Sequence, residues 1–364
     1  MLLGATGAGK GTMIDVMINY IVDVSWEDDF RFTIIDMTED EKVMANEKQT
    51  NWITCYEVNY QPGCRLLYNL NIIDTPGLGH PRGIDHDMKI VDQIREFFMA
   101  PGDQGIDSID AVCIVTPAHL GRLIFTDKYI FDFILSVFGK DLKDNLFVLT
   151  TFADSSYPPV LGSLKAANVP FQQYFTFNNS ALSVDSRMDS SEQYVQMAWN
   201  IGITNFDKLF SHLSCTLTKS LRLTTEVLSQ RKHIEYLLPQ IRDGLHKIKT
   251  VKKENENEKQ TYVKENLESD FKSLRQKVIW MMNSLKESLN KLAVDALRPD
   301  GLNDVCYVEC LIQTEKRNAR NGWDHRVQSL EEIKTRAALI QTIRDASVQN
   351  YWTDEDLSIF LKSV

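Results

Sequence analysis

Several features that would place a chain in a specialised class are missing here. The six cysteines (Cys55, Cys64, Cys113, Cys215, Cys306 and Cys310) form no CxxC clusters, so neither a disulfide framework nor a paired-thiolate metal site is written into their spacing. Cys306 and Cys310 stand four apart in a stretch that reads as helix, which suits two buried apolar side chains better than half a metal site. A reducing compartment fits this usage. No apolar run approaches the ~18 residues that a membrane-spanning helix needs, and no leader pattern opens the sequence, so the expected location is cytoplasmic. Basic residues are in deficit: 40 Lys and Arg face 50 Asp and Glu, a net charge of −10. That balance argues against a general nucleic-acid or anionic-membrane surface. Low-complexity tracts and repeated modules are absent as well.

What is present is ordinary globular composition, 43% hydrophobic and 25% charged over 364 residues, enough for a sizeable core and about two domains. In the first part, apolar strand patterns alternate with helical ones. Ile14, Met17, Ile18, Ile21 and Val22 recur at helical spacing, as in an amphipathic helix packed on a sheet. Residues 23–50 read as a long connection holding one short strand at Phe32–Ile35. Ile53–Tyr60, a turn at Gln61-Pro62-Gly63, and Leu66–Ile73 predict a strand–turn–strand hairpin. Strands follow at Ile109–Thr116, Leu146–Thr151 and Phe171–Phe177, with helices at Ile90–Met99 and Ile124–Phe138 between them. This order predicts an α/β fold, an open and mostly parallel sheet flanked by helices.

Near residue 205 the pattern changes to helix, apart from Val305–Leu311, which reads equally as strand or helix. Val227, Ile234, Ile241 and Ile248 recur every seven residues with Leu238 and Leu245 between them. Leu267, Phe271, Leu274, Val278, Met281, Leu285 and Leu292 form a second seam of coiled-coil type. An antiparallel helical hairpin that buries its own seam is the simpler expectation, with a partner-binding zipper as the alternative. Pro239 interrupts the first seam, and 323–346 reads as a shorter amphipathic helix. The expected division is 1–215 and an all-helical, coiled-coil 216–364.

The chemistry concentrates at the start. Gly4-Ala5-Thr6-Gly7-Ala8-Gly9-Lys10 reads as a phosphate-binding loop: a Gly-rich turn aims backbone amides into a concavity, the next helix adds its positive end, and Lys10 reaches the outer phosphates. Only Met1, Leu2 and Leu3 precede it, where a strand usually runs about five or six residues. The first strand is therefore read as clipped, or the sequence as a fragment or alternative gene model. Asp74-Thr75-Pro76-Gly77 closes the strand Leu70–Ile73. A carboxylate at that strand tip suits Mg²⁺, and a Gly three residues on suits an amide sensing a terminal phosphate. Thr151-Phe152-Ala153-Asp154 follows another strand and offers a carboxylate to the N1–H and N2–H of guanine, a selectivity enforced by the penalty for an unpaired acceptor. Asn179-Ser180-Ala181-Leu182 follows the last strand, where a backbone amide suits the guanine O6. All of these lie at strand C-terminal ends, where open α/β sheets bind ligands.

In this order the motifs resemble the guanine-nucleotide-binding domain of the immunity-associated (GIMAP-type) GTPases and the septins, within the TRAFAC class, over roughly residues 1–215. The resemblance implies GTP or GDP with Mg²⁺ as ligands, and a switch or assembly module that forms homodimers or oligomers through this domain. Protein partners would meet the helical region, and no nucleic acid is implied. It assigns the phosphates to Gly4, Gly7, Ala8, Gly9, Lys10, Gly11 and Thr12. Asp74 and Gly77 become the γ-phosphate sensor, Asp154 the guanine selector, and Ser180 and Ala181 the cover over the base. Thr50 becomes the first-switch threonine and metal ligand beside Asp74, with Thr54 as the alternative.

Three departures bear on turnover. Gly11 stands where a Ser or Thr hydroxyl normally holds Mg²⁺, which weakens the metal site. Phe152 replaces the Lys that stacks on the base. Leu78 follows Gly77 in place of a water-orienting Gln. Slow or partner-assisted hydrolysis is thus expected, with His80 and Arg82 as candidate catalytic groups beside Lys10 and Gly77. The alternatives are a hydrolysis-deficient nucleotide-binding scaffold and, from the Gly-Lys-Gly-Thr ending, an ATP-dependent nucleoside monophosphate kinase.

Overall fold

A computed structural model describes residues 1–35, 52–79, 84–100, 102, 105–123, 125–154, 157–182, 192–257, 261–300, 304–319, 323–345 and 352–363. The chain begins with β1 (Leu2–Gly4), α1 (Lys10–Ile21), β2 (Thr54–Val58), β3 (Leu70–Asp74) and α2 (Ile84–Met99). Next come β4 (Ser108–Ile109), β5 (Val112–Pro117), α3 (Phe125–Val137), β6 (Leu146–Thr151), α4 (Val160–Ala166) and β7 (Gln173–Thr176). After α5 (Glu192–Leu213) and β8 (Lys219–Ser220) the chain is helical: α6 (Arg222–Asn257), α7 (Thr261–Asp295), α8 (Val305–Asn318), α9 (Trp323–Asp345) and α10 (Asp354–Ser363).

Six strands pair in the order β2-β3-β1-β5-β6-β7. Only β2 runs antiparallel to its neighbour, with Thr54 opposite Asp74 and Val58 opposite Leu70; the other pairs are parallel. The interior strands are near-continuous apolar runs, because a parallel sheet covered on both faces has no polar side. The short β4 pairs with β8 apart from this sheet.

The hairpin differs from expectation in its return strand. Gln61-Pro62-Gly63-Cys64 does form a turn, with Gly63 at φ +100° and the Cys64 amide donating to the Gln61 carbonyl at 3.0 Å. The ladder resumes only at Leu70, because Arg65 and Leu66 are spent on α1: the Arg65 amide donates to Ile21 O, and Leu66 is buried beside that helix.

Helix α1 is not amphipathic as expected; from Met13 to Ile21 every residue is buried. One side meets Leu2, Val115, Phe147 and Leu149 of the sheet, and the outer side is covered by Phe206 and Phe210 of α5. The expected strand at Phe32–Ile35 is absent for a related reason. Its backbone is taken by two buried polar residues of α1 rather than by a neighbouring strand. Asn19 Oδ1 accepts the Phe32 amide at 2.9 Å while its Nδ2 donates to Phe32 O at 2.7 Å. Asp15 Oδ1 accepts the amides of Ile34 and Ile35.

The opposite face of the sheet builds a core from Ile73, Ile114, Ile134, Phe138 and Val148 that also takes in Val308, Leu311 and Ile312 of α8 and Leu330 of α9. Val305–Leu311 is thus helix, capped by Asp304, whose carboxylate accepts the Tyr307 amide at 3.1 Å. Cys306 is exposed and Cys310 half-buried in that helix, so the expectation that both are buried fails. Helices α6 and α7 form an antiparallel hairpin: His233 meets Ser284 while Gly244 meets Val278. Val227, Ile234, Leu238, Ile241, Leu245 and Ile248 fill its seam against Val278, Met281, Leu285 and Leu292, with Trp352 and Phe360 closing the far side. Pro239 lies inside α6. No helix among the described residues is long and apolar enough to cross a membrane.

Candidate functional site

The loop from Gly4 to Lys10 leaves the C-terminal end of β1 in the middle of the sheet. It is held at both flanks. The Thr6 amide donates to Leu78 O at 2.8 Å, the Leu78 amide to Gly4 O at 3.1 Å, and Thr151 Oγ1 at the end of β6 to Ala8 O at 2.7 Å. Gly7 (φ +76°) and Gly9 (φ +88°) take left-handed conformations that turn the chain into α1, a region costly for residues with a Cβ. Gly9 has no side chain to cap the helix, and no acidic residue lies in its first turn. The first amides of α1 therefore keep their donors and the positive end of the helix dipole for an anion.

Lys10 folds back over this loop, its Nζ donating to the carbonyls of Gly4 and Ala5 at 3.2 Å each. It is only 8% exposed. Burial pulls its ammonium down to about 8, partly opposed by the carboxylate of Asp74. Asp74 is fully buried at the tip of β3, so the loop places one cation and one anion in mutual reach at the same edge. Gly11 lies behind Lys10, where an added Cβ would meet only Ile35 at 3.7 Å. Thr12 is exposed.

The turn after β3 is pressed onto the Gly4–Lys10 loop. Thr75 is buried and its hydroxyl donates to Leu2 O at 2.8 Å. A Cβ at Gly77 would fall 2.6 Å from Thr6 Cα, so this position admits only glycine without a shift of backbone. Leu78 is buried and bridges Ala5.

At the sheet's other side, Phe152 adopts φ +51°, a left-handed conformation strained for an aromatic residue, and leaves its ring 57% exposed. Asp154 is exposed and accepts Asn178 Nδ2 at 3.2 Å. Asn178 Oδ1 in turn accepts the Ser180 amide at 3.2 Å and the Ser180 hydroxyl at 2.8 Å. Ser180 and Ala181 lie in a 3-10 turn, Asn179–Leu182, and Asn179 reaches Met13 of α1.

Four of the segments singled out in the sequence thus meet at one edge: Gly4–Thr12, Asp74–Gly77, Thr151–Asp154 and Ser180–Ala181. Thr50, His80 and Arg82 lie outside the described residues; Thr54, the alternative to Thr50, opens β2 opposite Asp74. Sequence reasoning missed Asn178, which splints Asp154 to Ser180, and the latch from Thr151 to Ala8. It also missed Asp15 and Asn19, whose signal was available as two polar residues four apart in an otherwise apolar helix. Among the described residues, no group of three or more His, Cys, Asp or Glu forms a metal cluster. Asp74 is an apt carboxylate for Mg²⁺, but Gly11 supplies no hydroxyl beside it, so these residues alone make an incomplete ligand set. A cavity of about 870 Å3 lies at the N-terminal ends of the strands, lined by Leu70, Ile72, Asp110, Ala111 and Leu213 among others, and shares no residue with this edge.

No protein-family model matches the chain, and no curated protein matches it. Among solved structures it is similar to a dimerisation-deficient mutant of Toc33 from Arabidopsis thaliana, at 15% identity and a TM-score of 0.33, over 55% of this chain and 82% of that one.

Proposed function

We propose that the chain binds a guanine nucleotide as a P-loop GTPase-type switch or assembly module with slow or partner-assisted hydrolysis. The observation that carries this is the convergence at one sheet edge of a glycine loop with its buried lysine, a buried strand-tip aspartate, and an aspartate splinted to a Ser-Ala turn. In this reading Lys10 and the loop amides hold the phosphates. Gly77 meets the terminal phosphate, and Asp154 with the Ser180–Ala181 turn reads the base. Residues 1–215 then form the nucleotide-binding unit, which pairs with a second copy in the assembly form of the reading, while residues 216–364 form a helical region that meets protein partners. The test is calorimetric titration with GDP, GTP and ATP. Micromolar or tighter binding of guanine nucleotides, lost in Lys10→Ala and relaxed toward adenine in Asp154→Ala, is the expected result; equal or better binding of ATP sinks the guanine assignment.

A second reading, a nucleotide-locked scaffold, is favoured by Leu78 and Gly11. Leu78 has both backbone groups committed to the phosphate loop and its side chain buried, so nothing at that position orients a water. Phosphate release at high protein concentration separates the two. Turnover at background, restored by Gly11→Ser, identifies the missing hydroxyl as the cause.

A further inference from the structure

Two residues beyond Gly77 the chain is tied down by a buried acid. Asp87, in the first turn of α2, is 1% exposed. Its oxygens accept the Gly79 amide at 3.1 and 3.2 Å, and Oδ2 also accepts the Tyr129 hydroxyl of α3 at 2.8 Å. Gly79 is at φ +69°, and a Cβ there would come within 2.8 Å of Ile130 Cδ1. The stretch Gly77–Gly79 is therefore clamped on two sides, by the phosphate loop through Leu78 and by α2 and α3 through Gly79.

The choice of an acid is what needs explaining. Among the described residues no ion pair reaches Asp87; an amide and a phenol satisfy it. A neutral Asn could accept the same amide without the desolvation that a buried carboxylate costs. What the carboxylate adds is charge assistance, which makes its bonds roughly twice as strong as neutral ones. Tyr129, itself buried, fixes the carboxylate's rotamer from a second helix.

We propose that Asp87, oriented by Tyr129, is a positioning residue for phosphate sensing: it holds the Gly79 amide so that Gly77 stays against the phosphate loop, and this lets the chain distinguish a triphosphate from a diphosphate. The proposal rests on the nucleotide-binding reading above. Asp87 touches no phosphate in it; it acts through the turn.

Proton binding gives a readout that a merely structural tie would not show. Burial pushes the Asp87 carboxyl up to about 7, against the lowering effect of its bonds to Tyr129 and Gly79. Protonation keeps an acceptor for Gly79 but removes the charge assistance. The titratable and charged groups around it are Tyr129 from α3, pushed well above its ordinary value by burial, and Asp85 on α2, whose Oδ2 accepts Ser329 of α9. Behind Tyr129 stands Tyr307 of α8 with the Lys128 ammonium 4.9 Å from its ring centre.

The experiment measures dissociation constants for GDP and a non-hydrolysable GTP analogue across neutral pH, on the full chain and on Asp87→Asn and Tyr129→Phe. Asp87→Asn should lose about tenfold in affinity for the analogue, the scale of one charge-assisted bond, with GDP affinity within about twofold, which also certifies its fold. Tyr129→Phe should lose less in the same direction. In the wild type, preference for the analogue should fall as pH drops through 7, and in Asp87→Asn that fall should be smaller, leaving only what Lys10, pulled down to about 8, contributes. Equal weakening of both nucleotides in both variants makes Asp87 a structural tie and overturns the proposal, as does an unchanged preference. An undiminished pH slope in Asp87→Asn assigns it to another group and overturns it too. A wild type that binds neither guanine nucleotide defeats the underlying reading instead, and the positioning role falls with it.

Discussion

Three glycines at the candidate site, Gly7, Gly11 and Gly77, should respond to alanine in three different ways, and their order tests how the turn after β3 packs on the Gly4–Lys10 loop. At Gly77 a Cβ would lie 2.6 Å from both Thr6 Cα and Thr6 Oγ1 and 2.9 Å from Thr6 N. Relief requires the two loops to part by roughly 1 Å, the difference from ordinary carbon contact at about 3.5–4 Å. That parting breaks the Leu78–Gly4 and Thr6–Leu78 backbone bonds. Two buried bonds at about 1 kcal/mol each, plus desolvated groups left unpaired, put the cost of Gly77→Ala at roughly 2–4 kcal/mol. At Gly7 nothing lies within 4 Å of the added methyl, so only the left-handed backbone matters and Gly7→Ala should cost about 1–2 kcal/mol. Gly11 is inside α1 and its Cβ would make only an ordinary contact with Ile35. Helix propensity then dominates, and Gly11→Ala should stabilise by up to about 1 kcal/mol. Urea denaturation of the three variants reads these as shifts in midpoint at constant slope. A Gly77→Ala no less stable than Gly7→Ala would refute the claim that the turn after β3 is wedged against the Gly4–Lys10 loop.

Asp87→Asn should raise stability at pH 8 and flatten its pH dependence. A carboxyl held up at about 7 in the fold and near 4 in the unfolded chain loses its stabilising proton between those values as pH rises, a penalty of roughly 4 kcal/mol at most; equal slopes for both proteins between pH 4 and 7 would count against it. Arg231 is half-buried and its guanidinium donates to Ser136 O, at the C-terminal end of α3, and to Arg298 O, each at 2.7 Å. Arg231→Ala strands both carbonyls and should cost about 2–4 kcal/mol in urea unfolding, whereas an effect below about 0.5 kcal/mol would mean that solvent reaches them. Gly244→Ala places a methyl 2.5 Å from Val278 Cγ2 across the hairpin and should destabilise by about 1–3 kcal/mol despite better helix propensity. Adding Val278→Ala removes the clash, so the double-mutant cycle should show a coupling of at least about 1 kcal/mol, and strict additivity would disprove the close approach.

Periodicity made much of the sheet legible, because β5 and β6 are apolar runs of strand length bounded by polar turns, and helical spacing fills the gaps. It failed where side chains take over the work of a strand. Phe32-Thr33-Ile34-Ile35 has strand composition, yet its partners are Asp15 and Asn19, and a polar residue on a helix carries no mark of which distant amide it will accept. Periodicity also misjudged α1. An amphipathic pattern assumes one wet face, whereas Phe206 and Phe210, almost two hundred residues later, close over the outer side.

At the candidate site the glycines, Lys10, Asp74 and Asp154 were readable because the proposed phosphate and base recognition would need particular residue types at fixed offsets. Their supports were not readable, since each is a contact between segments far apart in the chain: Thr151 to Ala8, Asn178 to Asp154, Asp87 to Gly79 with Tyr129. The asymmetry is physical. A group that meets a ligand is constrained by the ligand's shape, which is the same in every protein that binds it. A group that holds the first in place is constrained only by where this chain happens to bring a donor and an acceptor together. Asp87 illustrates the difference: from the sequence it is one more acid in the first turn of a helix, where the dipole alone would justify it, and only the Gly79 amide and Tyr129 hydroxyl on its two oxygens reveal that it faces inward to the turn behind Gly77.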